Sequence, residues 1–320
     1  MTVVADSPQT AVSIPRPLAD FGGRAPSAPD WFRRALAQRP EPHFVTVDGT
    51  AIETLTWGRE GAPGLMLLHG LGGHADWWSF IAPFFAETHR VTALSWSGMG
   101  RSGWRPRYDY ATYGREIGAV AEACGLAASG RAPVVIGHSF GGGPLIHAAA
   151  QTPEHIGGVI LLDCYFKLAD DSLGGRSDAR HRLYPSQAEA LMRFRFSPPQ
   201  TCSNLFVADY IARRSLCETD GGWTWRFDPA LRAKLEMERL EPHLARLSRP
   251  VALMAGDRSS LVTESFRAAI APLIDRALPW ILIPDADHHV MIDQPLALVA
   301  ALRGLLSAWP EGAGHSSPPL

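Results

Sequence analysis

The chain has 320 residues, and 30 basic residues against 32 acidic ones leave a formal net charge of -2. That balance removes the positive patch on which nucleic-acid binding depends, and a composition 46% hydrophobic and 19% charged excludes long-range disorder. The length suits one large domain or a domain with an insertion. From the start of the chain, prolines 8, 15, 17, 26 and 29 stand among Ala, Ser and Gly, so residues 1–39 read as a mostly disordered tail. It has neither the basic n-region nor the apolar h-region of a secretory signal.

Short apolar runs then alternate with helical patterns. The runs are 43–48 (HFVTVD), 52–57 (IETLTW), 65–69 (LMLLH), 91–95 (VTALS), 133–137 (PVVIG), 159–163 (VILLD), 251–256 (VALMAG) and 280–284 (WILIP). The first two alternate like a half-exposed hairpin, and the later ones are continuously apolar, as strands buried on both faces must be. Helical patterns such as 110–125 and 295–309 separate them, which predicts a mostly parallel eight-stranded sheet with helices on both faces.

The alternation breaks between residues 163 and 251. That interval contains no convincing strand, three helix-like stretches (186–196, 204–217 and 228–240) and many aromatics, so residues 165–247 read as an inserted helical cap. The sheet domain is then 40–164 and 248–309, with a second tail at 310–320. The cysteines Cys124, Cys164, Cys202 and Cys217 show no C-x-x-C and no pairing with His, and read as reduced thiols of a cytoplasmic protein. No stretch reaches the roughly 18 apolar residues of a membrane span.

Three motifs carry chemistry. His69-Gly70-Leu71-Gly72-Gly73 closes the third run and lacks both the GxGxxG spacing and a P-loop Lys, so nucleotide binding is disfavoured. Gly137-His138-Ser139-Phe140-Gly141 stands between an apolar run and a helical pattern, the setting of a nucleophile elbow that pushes a serine hydroxyl out of the sheet top. Acyl transfer needs two backbone donors for the developing oxyanion, and the amides of Phe140 and Leu71 suit that role. After the last run, His288 or His289 supplies a general base on a loop at the same edge. No Cys, Asp or Glu is spaced around that pair as a metal-ligand set, so no metal and no cofactor are expected.

With HGLGG, WSGMGRS (96–102), GHSFGG and a terminal H-x4-D-x-P, the chain resembles a capped α/β-hydrolase over about residues 40–309. The resemblance places the base five residues before an acid and seven before a Pro, which selects His288, with Asp293 and Pro295 at those offsets. Relatives usually put the third triad member three or four residues after the Gly ending the seventh strand. Here those positions are Ser259 and Ser260. Asp163, at the end of the sixth strand, is the preferred substitute, and Asp257 is the alternative. Ser95 also stands where relatives often carry Asp. Ser139 takes the place of the Asp used by dehalogenases and epoxide hydrolases of this fold, which argues against those chemistries.

There are 10 Trp, and Trp77, Trp78, Trp223 and Trp225 are expected to line an apolar substrate pocket, with Trp96 in the same neighbourhood. Arg226 and Arg258 are candidates for binding a carboxylate or for surface ion pairs. The expected activity is serine hydrolysis of an ester or lactone of a small to medium apolar or aromatic compound, through a Ser-His-Asp triad and an acyl-enzyme. Carbon–carbon hydrolysis of ring-cleavage products and cofactor-free perhydrolysis are alternatives on the same fold. A catalytically weak ligand-binding protein is the alternative of another class. Neither nucleic acid nor membrane is an expected partner, and the sequence leaves a homodimer open.

Overall fold

Eight strands form one sheet: β1 (Glu41–Val47), β2 (Thr50–Trp57), β3 (Gly64–Leu68), β4 (Arg90–Leu94), β5 (Val134–His138), β6 (Gly158–Leu162), β7 (Val251–Gly256) and β8 (Ile281–Ile283). The computed structural model describes residues 14–166, 182–274 and 280–309. The outer end of the first expected tail, 1–13, the whole of the second, 310–320, and residues 167–181 of the expected cap lie outside them. The strand order is β1-β2-β4-β3-β5-β6-β7-β8. β2 pairs antiparallel with β1 and β4, and the remaining pairs are parallel.

Alternate side chains of the buried strands feed two cores. Leu65, Leu67, Ile136, Ile160 and Leu162 enter one, and Met66, Leu68, Val135, Val159 and Leu161 enter the other. This two-sided burial is why these runs are continuously apolar. The helices labelled below are α1 (Asp30–Ala37), α2 (Tyr110–Ala123), α3 (Gly142–Gln151), α4 (Gln187–Met192), α5 (Leu205–Arg214) and α6 (Pro295–Ser307). α2 begins where the Asp109 carboxylate accepts from the Thr112 amide at 2.7 Å, a side-chain N-cap. No helix of the described residues is long and apolar enough to cross a membrane.

Parallel register brings the strand ends together. His138 pairs with Leu162, Leu162 with Met254, and Gly256 with Ile283. The residues that follow β5, β6, β7 and β8 therefore emerge side by side at the carboxyl edge of the sheet, where open α/β sheets place their ligands.

The structure departs from the sequence expectation in three places. Residues 14–39 are not a free tail: Leu18 and Phe32 are buried, and Phe32 lies 4.9 Å centroid to centroid from Phe206 of α5. Composition pointed to disorder, but Leu18, Trp31 and Phe32 supply anchors enough to dock the segment. The insertion also contains a hairpin, Leu216–Thr219 with Gly222–Trp225, closed by Asp220-Gly221. Asp-Gly is a strong two-residue turn signal, and four-residue arms are too short to show as strands by periodicity. Finally, only Leu231–Lys234 of the expected helix 228–240 is helical.

If α1 is docked as described, Phe32→Ala lowers unfolding stability by about 3 kcal/mol through the cavity it leaves. Chemical denaturation measures this, and an unchanged midpoint would contradict it.

Candidate active site

Ser139 sits between β5 and α3 with φ at +53°, a left-handed conformation that a non-glycine residue rarely adopts. The flanking glycines allow it. A Cβ at Gly137 would stand 2.8 Å from the Gly141 carbonyl, and one at Gly141 would stand 2.8 Å from the His69 carbonyl. The turn leaves Ser139 half-buried at the sheet edge.

Its hydroxyl donates to His288 Nε2 across 2.9 Å. The opposite ring nitrogen, Nδ1, donates to Asp163 Oδ1 at 2.7 Å. Of the residues expected to act together, the fold thus brings Ser139, His288 and Asp163 into one chain of hydrogen bonds. Asp163 is fully buried, and its own backbone is left-handed at φ +48°. Two further donors reach its carboxylate: Ser259 Oγ to Oδ1 at 2.8 Å and the Gly256 amide to Oδ2 at 2.9 Å. The serine at the position usual for the acid therefore supports a carboxylate at the end of the neighbouring strand. Asp257 is exposed, and its carboxylate accepts from the Ala286 amide at 3.3 Å, a turn-closing role away from His288.

The His69 turn packs directly on the elbow. A Cβ at Gly70 would lie 3.1 Å from Ser139 Cβ. His69 shapes this turn: Nδ1 donates to the Gly70 carbonyl at 2.7 Å, and Nε2 accepts from the Trp96 amide at 3.1 Å. Burial drops the His69 pKa to about 3, so the ring stays neutral and keeps one donor and one acceptor. The Leu71 amide has no hydrogen-bond partner among the described residues. Phe140 lies in the short helical segment Ser139–Gly141, in the first turn, where amides have no partner within the helix.

Two residues not singled out by the sequence hold the loop that carries His288. His138 Nε2 donates to the His288 carbonyl at 3.1 Å, and burial pushes the His138 pKa well below 6.5. Gln200 of the insertion accepts from His289 at its amide and at Nδ1, at 3.0 and 2.5 Å. The Gln200 amide group in turn donates to the Asp293 carboxylate at 3.0 Å. Each acts through tertiary contacts of large sequence separation, so no local pattern announced it.

The tryptophans divide. Trp77 is half-buried, with its ring 5.5 Å from that of His289. Trp225 begins a line of ring contacts through Phe194 and Phe196 to His289, with centroids 6.0, 5.0 and 5.1 Å apart. Trp223 is half-buried on the same hairpin, exchanging backbone hydrogen bonds with Tyr184. Trp78 and Trp96 are fully buried. Trp78 is therefore core rather than pocket wall, because its short helical turn points it into the sheet packing while Trp77 faces the insertion.

Arg226 donates to the Leu216 carbonyl, and Arg258 pairs at the surface with Asp285. Ser95 donates to the buried carboxylate of Glu53 at 2.8 Å and accepts from the Ala75 amide, so β2 supplies the acid that this strand end lacks. Among the described residues, the group of side chains that converge as metal ligands, His147, Glu238 and His243, includes none of the residues around Ser139.

Comparison with known proteins agrees with this fold. A family model described as the alpha/beta hydrolase family matches residues 65–302. The chain is 28% identical over 276 residues to esterase Rv0045c of Mycobacterium tuberculosis, covering 83% of this chain and 90% of that protein. It is also 28% identical over 251 residues to a pimeloyl-(acyl-carrier protein) methyl ester esterase of Edwardsiella ictaluri, covering 74% and 91% respectively. Among solved structures, E-2-(acetamidomethylene)succinate hydrolase superposes with a TM-score of 0.72 at 19% identity, covering 84% of this chain and all of that one.

Burial raises the Asp293 pKa to about 6. A carboxyl whose folded pKa exceeds its unfolded value contributes stability that is complete below about pH 4 and lost as pH rises through 6. Discounted for partial exposure, the loss between pH 4 and 7 is about 1–2 kcal/mol. Asp293→Asn should abolish that part of the slope in denaturation curves, and equal slopes in the two proteins would contradict it.

Proposed function

The chain belongs to the alpha/beta hydrolase family and is a hydrolase, and from that premise we propose that it is a serine esterase acting on a small to medium apolar or aromatic ester. The observation that carries the reading is the continuous line from Asp163 through His288 to Ser139, with contacts of 2.7 and 2.9 Å. The names of two relatives, an esterase and a methyl ester esterase, favour carboxylic esters.

A serine hydroxyl is a weak nucleophile at its own pKa. His288 Nε2 takes the Ser139 proton as Oγ attacks the ester carbonyl, and the Asp163 carboxylate holds Nδ1–H and stabilises the imidazolium. The amides of Leu71 and Phe140 receive the oxyanion. His288 then returns its proton to the leaving alcohol. A water activated by the same imidazole releases the acid from the acyl-enzyme, restoring Ser139.

Residues 165–247 serve as the cap. The aromatic line from Trp225 to His289, with Trp77 beside it, forms an apolar wall next to the base, suited to an acyl or alkyl group rather than a charged one. Lactones fit the same chemistry as cyclic esters. Nothing in the mechanism calls for a cofactor.

Turnover of a p-nitrophenyl ester series, with a lactone and a vinylogous diketone in parallel, tests the reading. Ester cleavage should dominate, and a preference for the diketone would overturn it in favour of carbon–carbon hydrolysis. Ser139→Ala and Asp163→Asn should each lower kcat by about 10⁴-fold. Asp257→Asn should stay within a few-fold of the unaltered protein, and the reverse order would move the acid to Asp257.

A further inference from the structure

We propose that His147, Glu238 and His243 form a site for a divalent transition-metal ion that fastens the arm returning from the insertion to helix α3. His147 lies on α3, and Glu238 and His243 lie on the arm that leads into β7. Their donor atoms all fall within 4.8 Å of one another. His147 Nδ1 is 2.5 Å from one Glu238 oxygen, and His243 Nε2 is 3.2 Å from the other. The two imidazole rings stand 5.0 Å apart, with the carboxylate bonded to both.

Two imidazoles and a carboxylate make a donor set that suits Zn²⁺ and its neighbours in the first transition row. Bonds of about 2.0–2.2 Å in a tetrahedron space the ligand atoms about 3.3 Å apart. The two nitrogen–oxygen separations, 2.5 and 3.2 Å, lie at or below that value and all the donor atoms lie within 4.8 Å, so small side-chain rotations that open the cluster bring the three donors onto one ion. Both histidine side chains are largely buried, whereas that of Glu238 is 41% exposed. One face is thus open for the ion to enter and for water to complete its shell. Gln151, one turn beyond His147 on α3, has its amide 3.4 Å from His243 Nδ1. Rotated, that amide presents its oxygen to Nδ1–H, the outer support that fixes a metal-bound imidazole in the required tautomer.

The site joins His147 to a residue 91 positions away, Glu238, and to His243 beyond it, and exists only when the arm is docked on α3. An ion bound there stabilises the folded chain by mass action. Its readout is independent of the esterase reading, since no residue of the Ser139 line takes part.

Titration of the chelator-treated full chain with ZnCl₂, by calorimetry and thermal unfolding, provides the test. One Zn²⁺ should bind per chain, and Tm should rise to a plateau. His147→Gln, Glu238→Gln and His243→Gln, each compared with its own chelated state, should bind at least ~10-fold more weakly and lose the rise. Absence of saturable binding, or equal binding by the three variants, overturns the site. Co²⁺ bound to the unaltered chain gives a reading that needs no variant. Ligand-field bands without a thiolate charge-transfer band are expected, and a thiolate band would place the ion at a cysteine and overturn the proposal.

Discussion

A carboxylate with no solvent exposure has to be answered on every side, because an unpaired buried charge costs several kcal/mol. Asp163 is answered by His288 Nδ1 from the loop after β8, and by the Gly256 amide and the Ser259 hydroxyl from the end of β7 and the turn that follows it. These partners tie the ends of β6, β7 and β8 to one point. The imidazole is thereby held with its free nitrogen toward Ser139, and the left-handed serine turn brings Oγ to meet it. The glycines of the elbow, the neutral His69 and the close Gly70 turn all serve the geometry of that meeting.

The insertion is fastened to the same point. Gln200 joins His289 to Asp293, and Asn204 donates to the carbonyls of Ile292 and Asp293 at 2.8 and 3.0 Å. The loop carrying His288 is therefore gripped by the segment proposed as the cap, while α5 of that segment also packs on α1. Motion of the insertion would therefore be transmitted to the loop that carries His288.

Local features were legible in the sequence and distributed ones were not. The eight runs, the G-x-S-x-G turn after β5 and the helix that follows it are written in contiguous residues, where period and turn chemistry decide the outcome. The choice between Asp163 and Asp257 was not, because it depends on which carboxylate the twist of adjacent strands turns toward His288. The same holds for Ser259, whose hydroxyl reaches the site only through a partner 96 residues away, while it also caps the local amides of Leu261 and Val262. Trp77 and Trp78 are neighbours in sequence with opposite fates, since a single step along a helical turn moves a side chain from the insertion to the core. Residues 14–39 misled by composition: a few large apolar anchors outweigh many prolines. His147, Glu238 and His243 meet only after α3 and the returning arm have packed.

The central claim is that Ser139 is a nucleophile activated by His288 in a line that Asp163 completes. A fluorophosphonate reagent tests it most directly, because it reacts with such a serine whatever the natural ester. After reaction with the folded protein, peptide mass spectrometry should find the phosphonyl group on Ser139 alone, with labelling slowed strongly in Asp163→Asn. A folded protein that remains unlabelled, or one labelled at another residue, would contradict it.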